Sequence, residues 1–134
     1  NTIKDIIEID LSKFDSSLVT DMLYMFHHCS DLEKIEFGNI NTSLLENMNS
    51  LFWGCSQLIS SDLSNLDLSK VTSMIKMFQG CSSLEIVKLN NSTSSLKDID
   101  HFFSGCSKLS SFDFCILIYQ MIQICQMYLM VVQI

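Results

Sequence analysis

The 134-residue chain contains no alanine, no proline, no arginine and only four glycines. Alanine, proline and arginine use GC-rich codons, whereas the abundant asparagine, isoleucine and lysine use AT-rich ones, so their absence points to an AT-rich genome. The lack of arginine, with a net charge of −7, argues against duplex nucleic acid, which needs several Lys or Arg contacts to phosphate. The acidic surplus favours solubility and basic partners. No C-x-x-C pair is present, so no zinc or other metal site is expected. G-x-S-x-G, Walker, H-E-x-x-H and G-x-G-x-x-G patterns are also missing, and neither an enzyme nor a cofactor is expected. The chain opens on Asn1-Thr2-Ile3-Lys4, without an initiator Met or a basic-then-apolar leader, and reads as a piece of a longer array.

What is present is periodic. Cys29, Cys55, Cys81 and Cys106 lie 26, 26 and 25 residues apart, each closing a phrase near Met-x-x-Met-Phe-x-Gly-Cys-Ser-x-Leu. A fixed period of this size marks stacked repeats. An apolar residue follows each Cys by three: Leu32, Leu58, Leu84 and Leu109. Two further apolar positions follow, at Ile35 and Phe37, Ser61 and Leu63, Val87 and Leu89, and Phe112 and Phe114. Their alternation predicts a short strand with one buried face. Val19, Met22, Met25 and Phe26 recur as Leu45, Met48, Leu51 and Phe52, then Val71, Met74, Met77 and Phe78, then Leu96, Ile99, Phe102 and Phe103. That spacing predicts one face of a helix. Upstream Asp and Ser residues suit helix N-caps, and Gly54, Gly80 and Gly105 suit left-handed C-terminal positions, where His28 stands once instead. The expected architecture is an α/β repeat: a leucine-rich-repeat-like solenoid with a short parallel strand and a helix in each unit of about 26 residues. Ser61 and Ser92 are defects in apolar columns, and the fourth unit is one residue short between Leu89 and Leu96.

The phrases Asp10-Leu11-Ser12-Lys13-Phe14-Asp15-Ser16-Ser17, Val19-Thr20-Asp21-Met22 and Met77-Phe78-Gln79-Gly80-Cys81-Ser82-Ser83-Leu84 resemble the BspA-type leucine-rich repeat of microbial surface proteins. The resemblance covers residues 3–114 and departs from ordinary leucine-rich repeats at Phe14, Ile40 and Leu66, where an Asn ladder is usual. It implies a cell-surface or extracellular protein that binds a protein or other cell-surface macromolecule, with adhesion as the usual role.

Residues 1–114 form the repeat region, a partial first unit and four coils; residues 115–134 leave the pattern and carry no charge. Three readings of this tail compete. Twenty uncharged residues match a membrane span, though Gln120, Gln123 and Gln126 would lie along it. The tail could instead be a buried cap. The favoured hypothesis is a frameshift: back-translated with AT-rich codons and read two bases later, the segment restores FDISNDTNM and NGCS. Membrane association is expected only if the tail is native. Uncapped ends would favour self-association through exposed apolar surface. The coding DNA decides between these readings, because a shifted frame without NGCS removes the third.

The four in-phase cysteines read as a ladder of small core residues. His27, His28 and His101 never recur in phase with one another, so no shared histidine site is expected. Asn41, Asn90 and Asn91 begin N-x-Ser/Thr sequons, which a chain so rich in Asn and Ser produces by chance. Asp10, Glu36, Asp62, Lys88 and Asp113 occupy one outward strand position and would form a mostly acidic stripe, the candidate binding surface for a basic partner or a cation. Trp53 is a second candidate, an aromatic suited to interface contact. The function expected is a non-enzymatic binding or adhesion module; the alternative is a structural spacer with no ligand of its own.

Overall fold

A computed structural model describes residues 5–90 and 92–112. Asp113 and the readings made of residues 115–134 lie outside them. Among the described residues five short strands appear: β1 (Glu8–Asp10), β2 (Lys34–Glu36), β3 (Ser60–Asp62), β4 (Ile86–Lys88) and β5 (Ser111–Phe112). They pair in parallel, β1 with β2 in one sheet, and β3 with β4 and β4 with β5 in another, and β2 lies against β3. A second parallel seam runs through single bridges from Asp21 to Asn47 to Ser73 to Asp98. Four coils therefore stack, and the segment between strands closes each one.

That segment contains no helix, among the described residues, and the expected solenoid with one helix per unit is corrected accordingly. The physical cause lies in two left-handed residues per coil. Tyr24, Ser50, Lys76 and His101 have φ of +55 to +57°, and His28, Gly54, Gly80 and Gly105 have φ of +57 to +81°. A right-handed helix cannot run through a residue held there. The hydrogen bonds instead alternate. The N–H groups of Met22, Tyr24, Phe26 and His28 donate sideways to the carbonyls of Asn47, Asn49, Leu51 and Trp53 at 2.7–3.2 Å. Between them, Met25, His27 and Cys29 donate to the carbonyl three residues back, at 3.1–3.2 Å. The following coils repeat the scheme, so this turn run satisfies its backbone partly from its neighbour.

The Asp residues read as helix caps, with Asn at the equivalent positions of the second coil, make a different motif. Asp15, Asn41 and Asp67 accept from the N–H two residues on, as do Asp21, Asn47 and Asp98 at another corner. These Asx turns bend the chain where a helix would otherwise start.

The core is a set of columns. Leu32, Leu58 and Leu84 are buried one above another, as are Met22, Met48 and Met74. Phe26, Phe52, Phe78 and Phe103 stack nearly face to face, with centroids 5.4–5.8 Å apart and planes within 18°. The shortened fourth coil is stitched by a side chain. Asn90 Nδ2 donates to the carbonyls of Ser64 and Leu66, and the Leu68 N–H donates to Ser92 Oγ at 2.9 Å.

Candidate functional site

Each of β2, β3 and β4 buries its central residue and exposes the two flanking ones, so the strands present two rows of side chains to solvent. One row contains the expected Asp10, Glu36, Asp62 and Lys88. Asp10 stands opposite Glu36, and Asp62 opposite Lys88. The other row runs through Glu8, Lys34, Ser60 and Ile86. Sequence reading overlooked it because the alternation put each strand one residue later, from Ile35 to Phe37 rather than Lys34 to Glu36. Phe37 is buried as expected, but it follows the strand.

The rows are mixed in charge. Lys88 Nζ lies 3.3 Å from Asp62 Oδ2, and Lys34 Nζ lies 3.0 Å from Glu36 Oε1, both exposed pairs. Asp10 makes no ion pair among the described residues. Turn hydrogen bonds fix the acids: Asp10 Oδ1 accepts the Ser12 N–H at 2.8 Å, and Asp62 Oδ1 accepts the Ser64 N–H at 3.0 Å. Hydrogen bonding from Ser12, through side chain and then backbone, holds the Asp10 carboxyl below the ordinary carboxylate range. Ser64, aided by Lys88, does the same for Asp62. The Glu36 carboxylate raises the pKa of the Lys34 ammonium.

Trp53 sits on the turn run and is half-buried. His28, His27 and Tyr24 surround it with ring centroids 5.4, 5.9 and 6.3 Å away, and Lys76 Nζ lies 5.6 Å from its ring centre. Tyr24 and Lys76 are the residues sequence reading missed here. Both hold the left-handed position of their coils, which nothing in their identity announces. His28 explains why Gly54 is glycine beyond its φ of +78°: a Cβ there would lie 2.4 Å from His28 Nδ1. The strand rows and this cluster belong to different parts of the coil, the strands and the turn run.

The four cysteines among the described residues are free; three are buried and Cys106 is partly so. Each later thiol has the same partner. Cys55, Cys81 and Cys106 Sγ donate to the carbonyls of Phe26, Phe52 and Phe78 at 3.0–3.1 Å. The Phe26 carbonyl also accepts the Cys29 N–H, and the next two are shared likewise. The position therefore wants a small side chain that is weakly polar and able to donate, a description that fits cysteine. Burial pushes the Cys55 thiol up to about 12 and Cys106 to about 11, and raises Cys81 as well. Near neutral pH, maleimide is expected to modify Cys106 at least about tenfold faster than Cys55 or Cys81, as mapped by peptide mass. Equal rates for all three in the folded protein would contradict this burial order. Among the described residues, no group of three or more His, Cys, Asp and Glu side chains is placed to hold a metal.

Fold and surface together define, over the described residues, a helix-free stack of parallel coils with a ribbed strand face. Residues 2–130 match the family described as Mycoplasma protein of unknown function, DUF285, and the chain belongs to that family. This corrects the resemblance to BspA-type leucine-rich repeats. That likeness rested on a 26-residue phrase whose core spacing a run of three-residue turns also produces. The family match extends into the 115–134 tail. No curated protein and no solved structure matches the chain.

Proposed function

We propose that this chain is a non-enzymatic binding module that engages a basic macromolecular partner, a protein or cell-surface polymer, through its strand face. One observation carries the reading: two rows of exposed side chains, in parallel register from β1 to β2 and from β3 through β5, with β2 lying against β3. A partner that spans several coils meets the same spacing repeatedly, so weak contacts add through one rigid surface. Fixed acids at Asp10 and Asp62 give that surface a charge preference, while the ion pairs Asp62–Lys88, across two strands, and Glu36–Lys34, within one, limit its strength. Placement at the cell surface or outside the cell belongs to the same proposal.

The alternative, a structural spacer, draws support from those ion pairs, because Asp62 and Glu36 already have lysine partners within the chain. A lysine-rich peptide immobilised on a sensor separates the two readings. Reversing Asp10, Glu36 and Asp62 to Lys is expected to weaken its binding about tenfold or more at moderate salt. Reversing Asp15, Asp31 and Asp67, which lie off the strands, should change it by about twofold to threefold. Equal losses for both triple variants would show that net charge alone acts, and would remove the strand-face proposal.

A further inference from the structure

A third row of side chains runs beside the two strand rows, at the corner just before each strand. Glu33 N–H donates to the Ile7 carbonyl at 2.8 Å, Ile59 N–H to the Glu33 carbonyl at 3.2 Å, and Glu85 N–H to the Ile59 carbonyl at 2.8 Å, so these residues stack coil on coil. All are exposed. Ile59 is 47% exposed, and Ile86, one residue past Glu85 in β4, is 41% exposed. Among the described residues these two are the only exposed large hydrophobics beyond Leu44. Ile86 is in register with Ser60, the residue after Ile59, so the two isoleucines are neighbours across one seam. Glu33, Ile59 and Glu85 each bond to a described coil on both sides, through Ile7 at one limit and Ser110 at the other, so this surface lies within the stack.

Charge is distributed unevenly between the rows. Glu36 and Asp62 on the strands already hold Lys34 and Lys88. Glu33 and Glu85, which flank Ile59 in the corner row, make no ion pair among the described residues. Across β2 to β4, the negative charge without a lysine partner therefore stands at the corner, on either side of an apolar pair. A uniformly basic polymer would meet the charge and leave the isoleucines wet. A partner with an apolar side chain between two basic ones would cover both.

We infer that the corner row centred on Ile59 and Ile86 docks a basic amphipathic helix of a partner protein, laid along the stack. The inference rests on the strand-face reading above and narrows its partner. Spacing selects the helix. Neighbouring parallel strands lie about 4.8 Å apart, so Glu33 and Glu85, two coils apart, are separated by about 10 Å along the stack, with Ile59 midway. A helix rises about 1.5 Å per residue, so positions i and i+7 share a face about 10.5 Å apart, and i+3 and i+4 lie between them at about 4.5 and 6 Å. Basic residues at i and i+7 then reach Glu33 and Glu85, while apolar ones at i+3 and i+4 cover Ile59 and lean toward Ile86. An extended peptide fits worse, because its same-face side chains recur at about 6.8 and then 13.6 Å.

Three immobilised peptides test this against the whole chain. The first is a synthetic helix with Lys at i and i+7 and Leu at i+3 and i+4. The second is its isomer with the leucines at i+2 and i+5, on the opposite face, and the third is lysine-rich without leucine. The first is expected to bind about tenfold tighter than the second. Ile59→Ser with Ile86→Ser, at exposed positions, should remove that advantage, shift the lysine-rich peptide by less than about twofold, and leave circular dichroism and thermal midpoint unchanged. Glu33→Gln with Glu85→Gln should weaken the first peptide about threefold to tenfold, and less at high salt. Equal binding of the two helical isomers overturns the inference. So does an isoleucine variant, or a glutamate variant, that binds the first peptide as the parent does. In each of those cases, capture of the lysine-rich peptide that still depends on Asp10, Glu36 and Asp62 leaves the strand-face reading standing. A parent that captures none of the three peptides overturns both.

Discussion

Replacing Phe52 with alanine is expected to cost about 3–5 kcal/mol of stability, the usual range for emptying a buried aromatic site. Phe52 is completely buried and is stacked on Phe26 at 5.7 Å and on Phe78 at 5.4 Å, with Phe37 edge-on at 6.3 Å. Its removal breaks the aromatic column at an inner seam, where neither flanking coil can move in without losing its lateral backbone bonds. Domains of this size hold only about 5–15 kcal/mol in total, so the variant should be partly unfolded at physiological temperature. Phe26→Ala, in the first coil, interrupts one stacked contact rather than two and should cost less. Urea midpoints followed by circular dichroism would show the order. A loss below about 1 kcal/mol for Phe52→Ala would contradict the burial of this side chain between its two neighbours.

The opposite sign is expected at Ser61. It is the central residue of β3, buried, and its hydroxyl has no hydrogen-bond partner among the described residues. The corresponding residues of the strands on either side are Ile35 and Val87, with Val87 in direct register. A buried hydroxyl without a partner carries a penalty of about 1–3 kcal/mol. Ser61→Val removes that penalty and restores the apolar column, so Tm should rise by about 4–8 °C. Ser61→Ala removes the hydroxyl without adding bulk and should give a smaller rise. A Ser61→Val protein less stable than its parent, beside a neutral alanine variant, would show that the cavity is too small for the added methyl groups.

The sequence conveyed the columns better than the backbone that carries them. Period and phase were legible because stacking forces like onto like: Leu58, Met74 and Phe78 repeat their neighbours at a fixed distance. The defect at Ser61 stood out for the same reason. The turn run was not legible. Residues spaced 0, 3, 6 and 7 mark one face of a helix, but also the inner side of successive turns whose bonds reach back three residues. The feature that decides between them is the left-handed residue in mid-run, held by Tyr24, Ser50, Lys76 and His101. None of these is a glycine or asparagine, so local chemistry gave no warning. Neighbour-to-neighbour hydrogen bonds hold them there, and those exist only once the coils have stacked. Of the candidate surface, the row through Asp10, Glu36, Asp62 and Lys88 followed from alternation. The row through Glu8 and Lys34 depended on strand limits, which alternation fixes only to within a residue.

The repair at Asn90 bears on how such an array can change. One residue is missing from the fourth coil, yet the bridge from Ser73 to Asp98 and the bonds beyond it keep their pattern. The carboxamide of Asn90, reaching back to the coil before, takes up the slack at the corner following β4. That corner can therefore tolerate small insertions and deletions, while the turn run that follows cannot lose a residue without throwing its donors and acceptors out of step. Length variation within the family should gather at that corner, leaving the cysteine as the fixed point from which each coil is counted.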